Sequence, residues 1–111
     1  MPEATHMARI VLTTASSTEE ANRLGQALVE ERLVACATIL PAAHSIYRWQ
    51  GKIDSSDEAL LLLKTTVDKL SALEARLHEL HSYQTPEFLV LSVDSGSHAY
   101  LEWLSESLRA D

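Results

Sequence analysis

His81, Tyr83 and Glu87 place an imidazole, a phenol and a carboxylate in one short stretch, His81-Ser82-Tyr83-Gln84-Thr85-Pro86-Glu87, stiffened by a proline. The stretch falls where a helical pattern stops and an apolar strand begins. Its polar groups are therefore held at a sheet end, and such connections are where function concentrates. His78 and His81 stand at i and i+3, on one helix face, and imidazoles so spaced can ligate a transition metal. No carboxylate or cysteine sits at a diagnostic spacing beside them, and a helix-end cap or hydrogen-bonding role for His81 is the alternative.

Three further groups carry chemistry-bearing side chains. Cys36 lies in the apolar run Val34-Ala35-Cys36-Ala37, where a thiol packs as a small hydrophobe; a nucleophile or a ligand contact at a subunit interface are the other readings. Tyr47, Arg48 and Trp49 precede the turn signal Gln50-Gly51, and aromatics on a protruding hairpin suit an oligomer contact or a ligand platform. Lys64 ends one apolar strand and Glu87 begins another; with Tyr83 they form either a structural ion pair or a seat for a carboxylate-bearing small molecule. No glycine-rich phosphate loop, Ser-His-Asp spacing or paired-carboxylate motif is present.

The elements that must position these residues follow from periodicity. Residues 8–14 are β-branched and read as a buried strand. Ser17-Thr18-Glu19-Glu20 fits a capping box, and Ala21, Leu24, Gly25 and Leu28 carry a helix to about Arg32. Residues 34–40 form a second strand, interrupted by Pro41-Ala42-Ala43 as a bend or bulge. Residues 45–49 alternate toward the Gln50-Gly51 turn, Lys52-Ile53-Asp54 begins a return arm, and residues 58–65 read as a strand paired to Tyr47–Trp49. Leu70, Leu73, Leu77 and Leu80 mark a helix with Thr66 as candidate cap, residues 87–93 a buried strand, and Leu101, Leu104 and Leu108 a final helix. The order predicts an α+β, ferredoxin-like βαββαβ sandwich with an extended hairpin and a C-terminal helix. One layer of helices covers one sheet face, so the other face predicts self-association.

Length and composition fit one domain over residues 8–111 behind an N-terminal tail, residues 1–7. With 111 residues, 46% hydrophobic and 23% charged, the chain can build a core. No apolar run approaches the roughly 20 residues of a membrane helix, and the first residues lack the pattern of a secretory signal. The net charge of −7 disfavours nonspecific nucleic-acid binding. A single cysteine excludes an internal disulfide and a multi-cysteine zinc site, and the expected compartment is the cytoplasm.

Five segments occur in a telling order: Ala35-Cys36-Ala37-Thr38, Ser45-Ile46-Tyr47-Arg48-Trp49-Gln50-Gly51-Lys52, Leu63-Lys64-Thr65-Thr66, His81 to Glu87, and Tyr100-Leu101-Glu102-Trp103. Together they resemble the CutA family of divalent-cation tolerance proteins, over about residues 8–109. The resemblance implies a ferredoxin-like homotrimer whose sheets meet at the centre, with the hairpin reaching a neighbour. It implies a cytosolic, non-enzymatic protein linked to copper and divalent-cation tolerance, with copper or another divalent cation as the candidate cofactor. The trimers of that family resemble PII signalling proteins, so a sensor or adaptor acting through partner proteins is the alternative. Thr38 stands where members commonly have Asn, and Ser82 where they have Pro. The copper site proposed for some members uses a first-strand cysteine and two adjacent histidines; this chain has Thr13 and Leu80-His81, so only His81 matches.

Overall fold

The computed structural model describes residues 7–109. Its strands are Ala8–Ala15 (β1), Cys36–Trp49 (β2), Lys52–Thr66 (β3) and Leu89–Ser92 (β4), and its helices Thr18–Glu30 (α1), Leu70–Leu80 (α2) and His98–Ser107 (α3). β1 pairs antiparallel with both β3 and β4, and β2 with β3, giving the sheet order β2-β3-β1-β4. This is the expected ferredoxin-like arrangement. β1 begins at Ala8; of the expected N-terminal tail, residues 1–6 lie outside the described residues.

Strand alternation explains where the core sits. On β1, Val11, Thr13 and Ala15 are buried, whereas Ile10, Leu12 and Thr14 are only partly so. Ala59, Leu61, Leu63 and Thr65 repeat that period on β3. α1 lays Ala21, Leu24 and Leu28, and α2 lays Leu73 and Leu77, on this inner face to form one core. Each buried Leu contributes roughly 1.5–3 kcal/mol of transfer free energy. Gly25 lets α1 approach β2 closely: a Cβ there would lie 3.1 Å from the Ala37 Cβ.

The outer face is apolar as well. Register puts Thr38, Leu62, Leu12 and Leu89 in one row across it, with Leu40, Leu60 and Thr14 in the next. Leu40, Leu89 and Leu91 are 45%, 55% and 45% exposed. α3 covers only one end, where Leu101 packs on Ala8 and Val93, and Leu104 and Leu108 on Ala35.

Several local features differ from expectation. The bulge expected at Pro41-Ala42-Ala43 is present, between Leu40 and Ala43 with Ala42 at φ 62°, but β2 runs through it as one strand. The two return segments are one strand, β3, closed on β2 by Gln50 and Gly51, both at positive φ (51° and 79°) as a tight hairpin turn demands. α1 ends at Glu30 in a Schellman motif: the Leu33 amide donates to the Leu28 carbonyl, and Arg32 takes the left-handed position at φ 58°. The Arg32 guanidinium also donates to the Ser107 carbonyl at the end of α3, a favourable site for a cation. Thr66 does not cap α2; a 3-10 turn, Val67–Lys69, intervenes, and its hydroxyl donates to Asp68 instead. β4 is shorter than residues 87–93, starting only after the loop containing Pro86 and Glu87.

Thr13 is fully buried on the inner face and its hydroxyl has no hydrogen-bond partner. Thr13→Val, of the same shape, removes an unsatisfied polar group from the core. Urea unfolding at fixed protein concentration should show a gain of about 1 kcal/mol; a loss of stability would mean that the hydroxyl has a partner in solution.

Candidate functional site

The stretch 81–87 is anchored by a buried carboxylate. Glu20 stands in the first turn of α1 and is 3% exposed. The Glu20 amide donates to the Ser17 hydroxyl at 3.0 Å, one half of the expected capping box. The carboxylate reaches one residue further back than expected: Oε1 accepts from the Ser16 amide (2.9 Å) and hydroxyl (2.7 Å). Oε2 accepts from the Ser82 amide at 2.9 Å, tying α1 to the loop after α2. Burial alone would raise its pKa, but the bonds from Ser16 and Ser82 outweigh it and hold the carboxyl at about 2.

His81 caps this arrangement. Its Nε2 lies 2.7 Å from the Thr14 carbonyl and its Nδ1 accepts the Tyr83 amide at 3.0 Å. A carbonyl demands a donor and an amide demands a lone pair, so the ring is neutral with the proton on Nε2. The 3.7 Å from Nδ1 to Glu20 is therefore a contact with a carboxylate, not an ion pair. Neither ring nitrogen offers a free lone pair to a metal in this arrangement. His78 is exposed and does not join it. Among the described residues no group of three or more His, Cys, Asp or Glu side chains could hold a metal ion. The described residues of one chain therefore do not assemble a copper centre.

Beyond His81, Tyr83 turns back to β3 and donates its phenol to Glu58 Oε2 at 2.7 Å, stacking obliquely on the imidazole at 4.7 Å between centroids. Burial and the bond to Glu58 push the phenol pKa up. Partial burial, and then the neighbouring Glu58 charge, raise that of Glu87. Tyr47 approaches from the hairpin, its hydroxyl 3.4 Å from Ser56. This corner holds two carboxylates and no cation: neither Glu58 nor Glu87 has an ion-pair partner among the described residues.

Lys64 is elsewhere. It is opposite Cys36 on the outer face, and its Nζ donates to Thr38 Oγ1 at 2.8 Å. Glu58 lies near the other end of the sheet, roughly 20 Å along β3 at strand spacing. The structure therefore does not bring Lys64 together with Tyr83 and Glu87 in one chain; β3 and β4 flank β1 on opposite sides. Around Lys64 a second polar corner forms instead: the Cys36 sulfur lies 3.8 Å from the Tyr100 hydroxyl. Burial and the thiol raise the Tyr100 pKa. Trp49 stands alone near the hairpin tip, 59% exposed.

Sequence reasoning missed Glu58, Glu20 as a tether, Thr38 and Tyr100 as members of these corners. Only strand register could have found Glu58 and Thr38. For Glu20, the capping box gave the position but not the second oxygen's partner.

An antiparallel four-stranded sheet with two helices on one face, polar corners at its two ends and an apolar outer face defines a ferredoxin-like α+β protein. The CutA1 divalent ion tolerance protein family matches residues 9–107, and the chain belongs to it. The divalent-cation tolerance protein CutA of Thermus thermophilus is 46% identical over 101 residues, covering 91% of this chain and 98% of the relative. The crystal structure of CutA1 from Oryza sativa superposes with a TM-score of 0.92 at 35% identity, covering 97% of this chain and 99% of the other. The periplasmic divalent cation tolerance protein CutA from Archaeoglobus fulgidus does so at 0.90 and 32%, covering 93% and 100%. Among the described residues no helix is long and apolar enough to cross a membrane.

Glu20 ties stability to pH. Its folded pKa, about 2, lies below the unfolded 4.5, so its contribution is complete above pH 4.5 and is lost as pH falls through 2. The shift corresponds to about 3 kcal/mol. Urea unfolding between pH 6 and pH 2 should show this loss, and Glu20→Gln should flatten that part of the profile while destabilising the protein at neutral pH. An unchanged profile in Glu20→Gln would remove Glu20 as its source.

Proposed function

We propose that this chain works as a cytoplasmic, non-enzymatic homotrimer in divalent-cation tolerance, copper included, taking a metal or small ligand at its subunit boundaries. The carrying observation is the outer sheet face, where Leu40, Leu89 and Leu91 are exposed beside the partly buried Ile10, Leu12, Leu60 and Leu62, while α1 and α2 pack on the other side. Large contiguous apolar surface marks an interaction site, and the family relationship favours a second and third copy as its cover. With the two polar corners at opposite ends of the sheet, a ligand seat combining Cys36 and Lys64 with Tyr83 and Glu87 needs two copies. A metal likewise needs donors from more than one copy, since His81 has both nitrogens engaged.

Native mass spectrometry of the protein isolated from its own cells reports assembly and retained ligand together. The expected result is three chains carrying a bound metal or small molecule; a monomer at micromolar concentration overturns the proposal. Calorimetry with copper(II) and zinc(II) then separates the ligand classes: no heat from either removes metal from the reading.

A further inference from the structure

On the helix side of the sheet, α1 and β2 leave an open groove of about 470 Å³ between them. That volume lies in the range of sites that hold a ligand. Its apolar lining is Gly25 and Val29 from α1 and Ala37 and Ile39 from β2, with Val29 40% exposed. Its polar lining stands along one stripe of α1 at one-turn intervals, Asn22, Gln26 and Glu30.

The β2 wall is a strand edge. β2 pairs only with β3, so its other side is unpaired within the chain. From Cys36 to Leu40 it carries no charge and no proline, the devices that blunt a free edge; Pro41 and the bulge end that stretch. Such an edge offers the amide and carbonyl of every second residue to an added strand.

The α1 wall carries hydrogen-bonding groups and one charge. The Asn22 carboxamide makes no hydrogen bond to another described residue. Gln26 Nε2 donates to Glu30 Oε2 at 2.9 Å, which leaves the Gln26 carbonyl oxygen unengaged. Glu30 is the one charged residue of the lining, and it has no ion-pair partner among the described residues. It stands in the last turn of α1, where the helix carbonyls add to its negative potential and no basic residue offsets it. Glu31 beside it is answered from within the chain, by Arg76 at 2.9 and 3.0 Å.

These walls specify an occupant. Asn22 to Glu30 spans about 12 Å along the helix, and Cys36 to Leu40 about 13 Å along the strand, so both accommodate the same few residues of extended chain. The strand edge takes its main chain, the carboxamides take polar groups turned toward α1, the apolar lining takes a small aliphatic side chain and Glu30 takes a cation. Side chains on one face of an extended chain recur every second residue, so the aliphatic and the cation stand two positions apart.

We propose that the groove between α1 and the free edge of β2 is a docking site for an extended segment of a partner protein carrying Lys or Arg two residues from a small aliphatic side chain, added as a strand to β2. The groove opens on the helix side, away from the outer face assigned above to association, so the inference stands apart from the trimer reading.

The test is fluorescence anisotropy on the full chain in its native assembly. The probes are labelled, end-blocked hexapeptides in which Lys and Val occupy every pair of positions on a background of Ser and Thr. Peptides with Lys and Val two apart should bind best, and N-methylation of alternate residues should abolish binding in one phase and spare it in the other, because only one set of amides meets β2. Glu30→Lys should weaken the best peptide by about tenfold or more, and replacing its Lys with Glu should restore binding to that variant. Val29→Asp, a second exposed position, should weaken it as well, with circular dichroism as the control for folding in both variants. No saturation by any peptide at about 1 mM overturns the inference, including the case in which a second copy already fills the groove. Binding that Glu30→Lys and Val29→Asp leave unchanged, or that both phases of N-methylation spare, overturns it too.

Discussion

The strands of this sheet are apolar on both faces, yet only two helices and one side are available to cover them. That imbalance governs the rest of the molecule. The inner face has Val11, Leu61 and Leu63 against α1 and α2, and is sealed. The outer face has Ile10, Leu12, Leu60 and Leu62 only partly buried among the described residues, with α3 reaching only the end near Ala8 and Ala35. A domain this small buries a modest share of its surface on folding, so leaving one sheet face open would be costly in an isolated monomer. Alternation along each strand thus gives one apolar set to the core within the chain and leaves a second on the outer face.

Polar groups are accordingly confined to the ends of the sheet, where they do not interrupt either apolar layer. At one end, Glu20 is buried as an anion and is tolerated because three donors, from Ser16 and Ser82, converge on it. An unpaired buried carboxylate would cost several kcal/mol; this one converts that cost into a fixed geometry for the loop that follows α2. His81 then locks the same loop to β1 through the Thr14 carbonyl, and Tyr83 carries the connection to β3. The loop thus owes its shape to groups from three elements, α1, β1 and β3.

Much of this was legible in the sequence because period and turn chemistry are local. The βαββαβ order, the capping Ser17, the Gln50-Gly51 turn and the open face follow from patterns a few residues long. What escaped depends on register. Tyr83 meets Glu58 only because β3 pairs with β1 so that Ala59 falls opposite Ala15. Lys64 leaves Glu87 because the same register carries it to the other end, opposite Cys36. Thr66 fails as a cap because one 3-10 turn displaces the start of α2, a shift that helical spacing of leucines cannot reveal.

The hairpin arm has little of its own to hold it in place. A two-stranded ribbon is marginal in water without a third strand or a packed face. Distal to the bulge, the pairs Ser45–Ser56, Ile46–Ser55 and Arg48–Ile53 have no third strand and no helix behind them. Side-chain ties across the arm, His44 to Asp57 at 2.8 Å and Tyr47 to Ser56 at 3.4 Å, are exposed and individually weak. The left-handed Ala42 adds strain, since a non-glycine residue there costs about 1 kcal/mol. The arm carries exposed isoleucines, Ile46 and Ile53, with little among the described residues to bury them. The bulge is itself a positional device: the extra residue on β2 bends the pair, and so fixes the direction in which β2 and β3 leave the sheet.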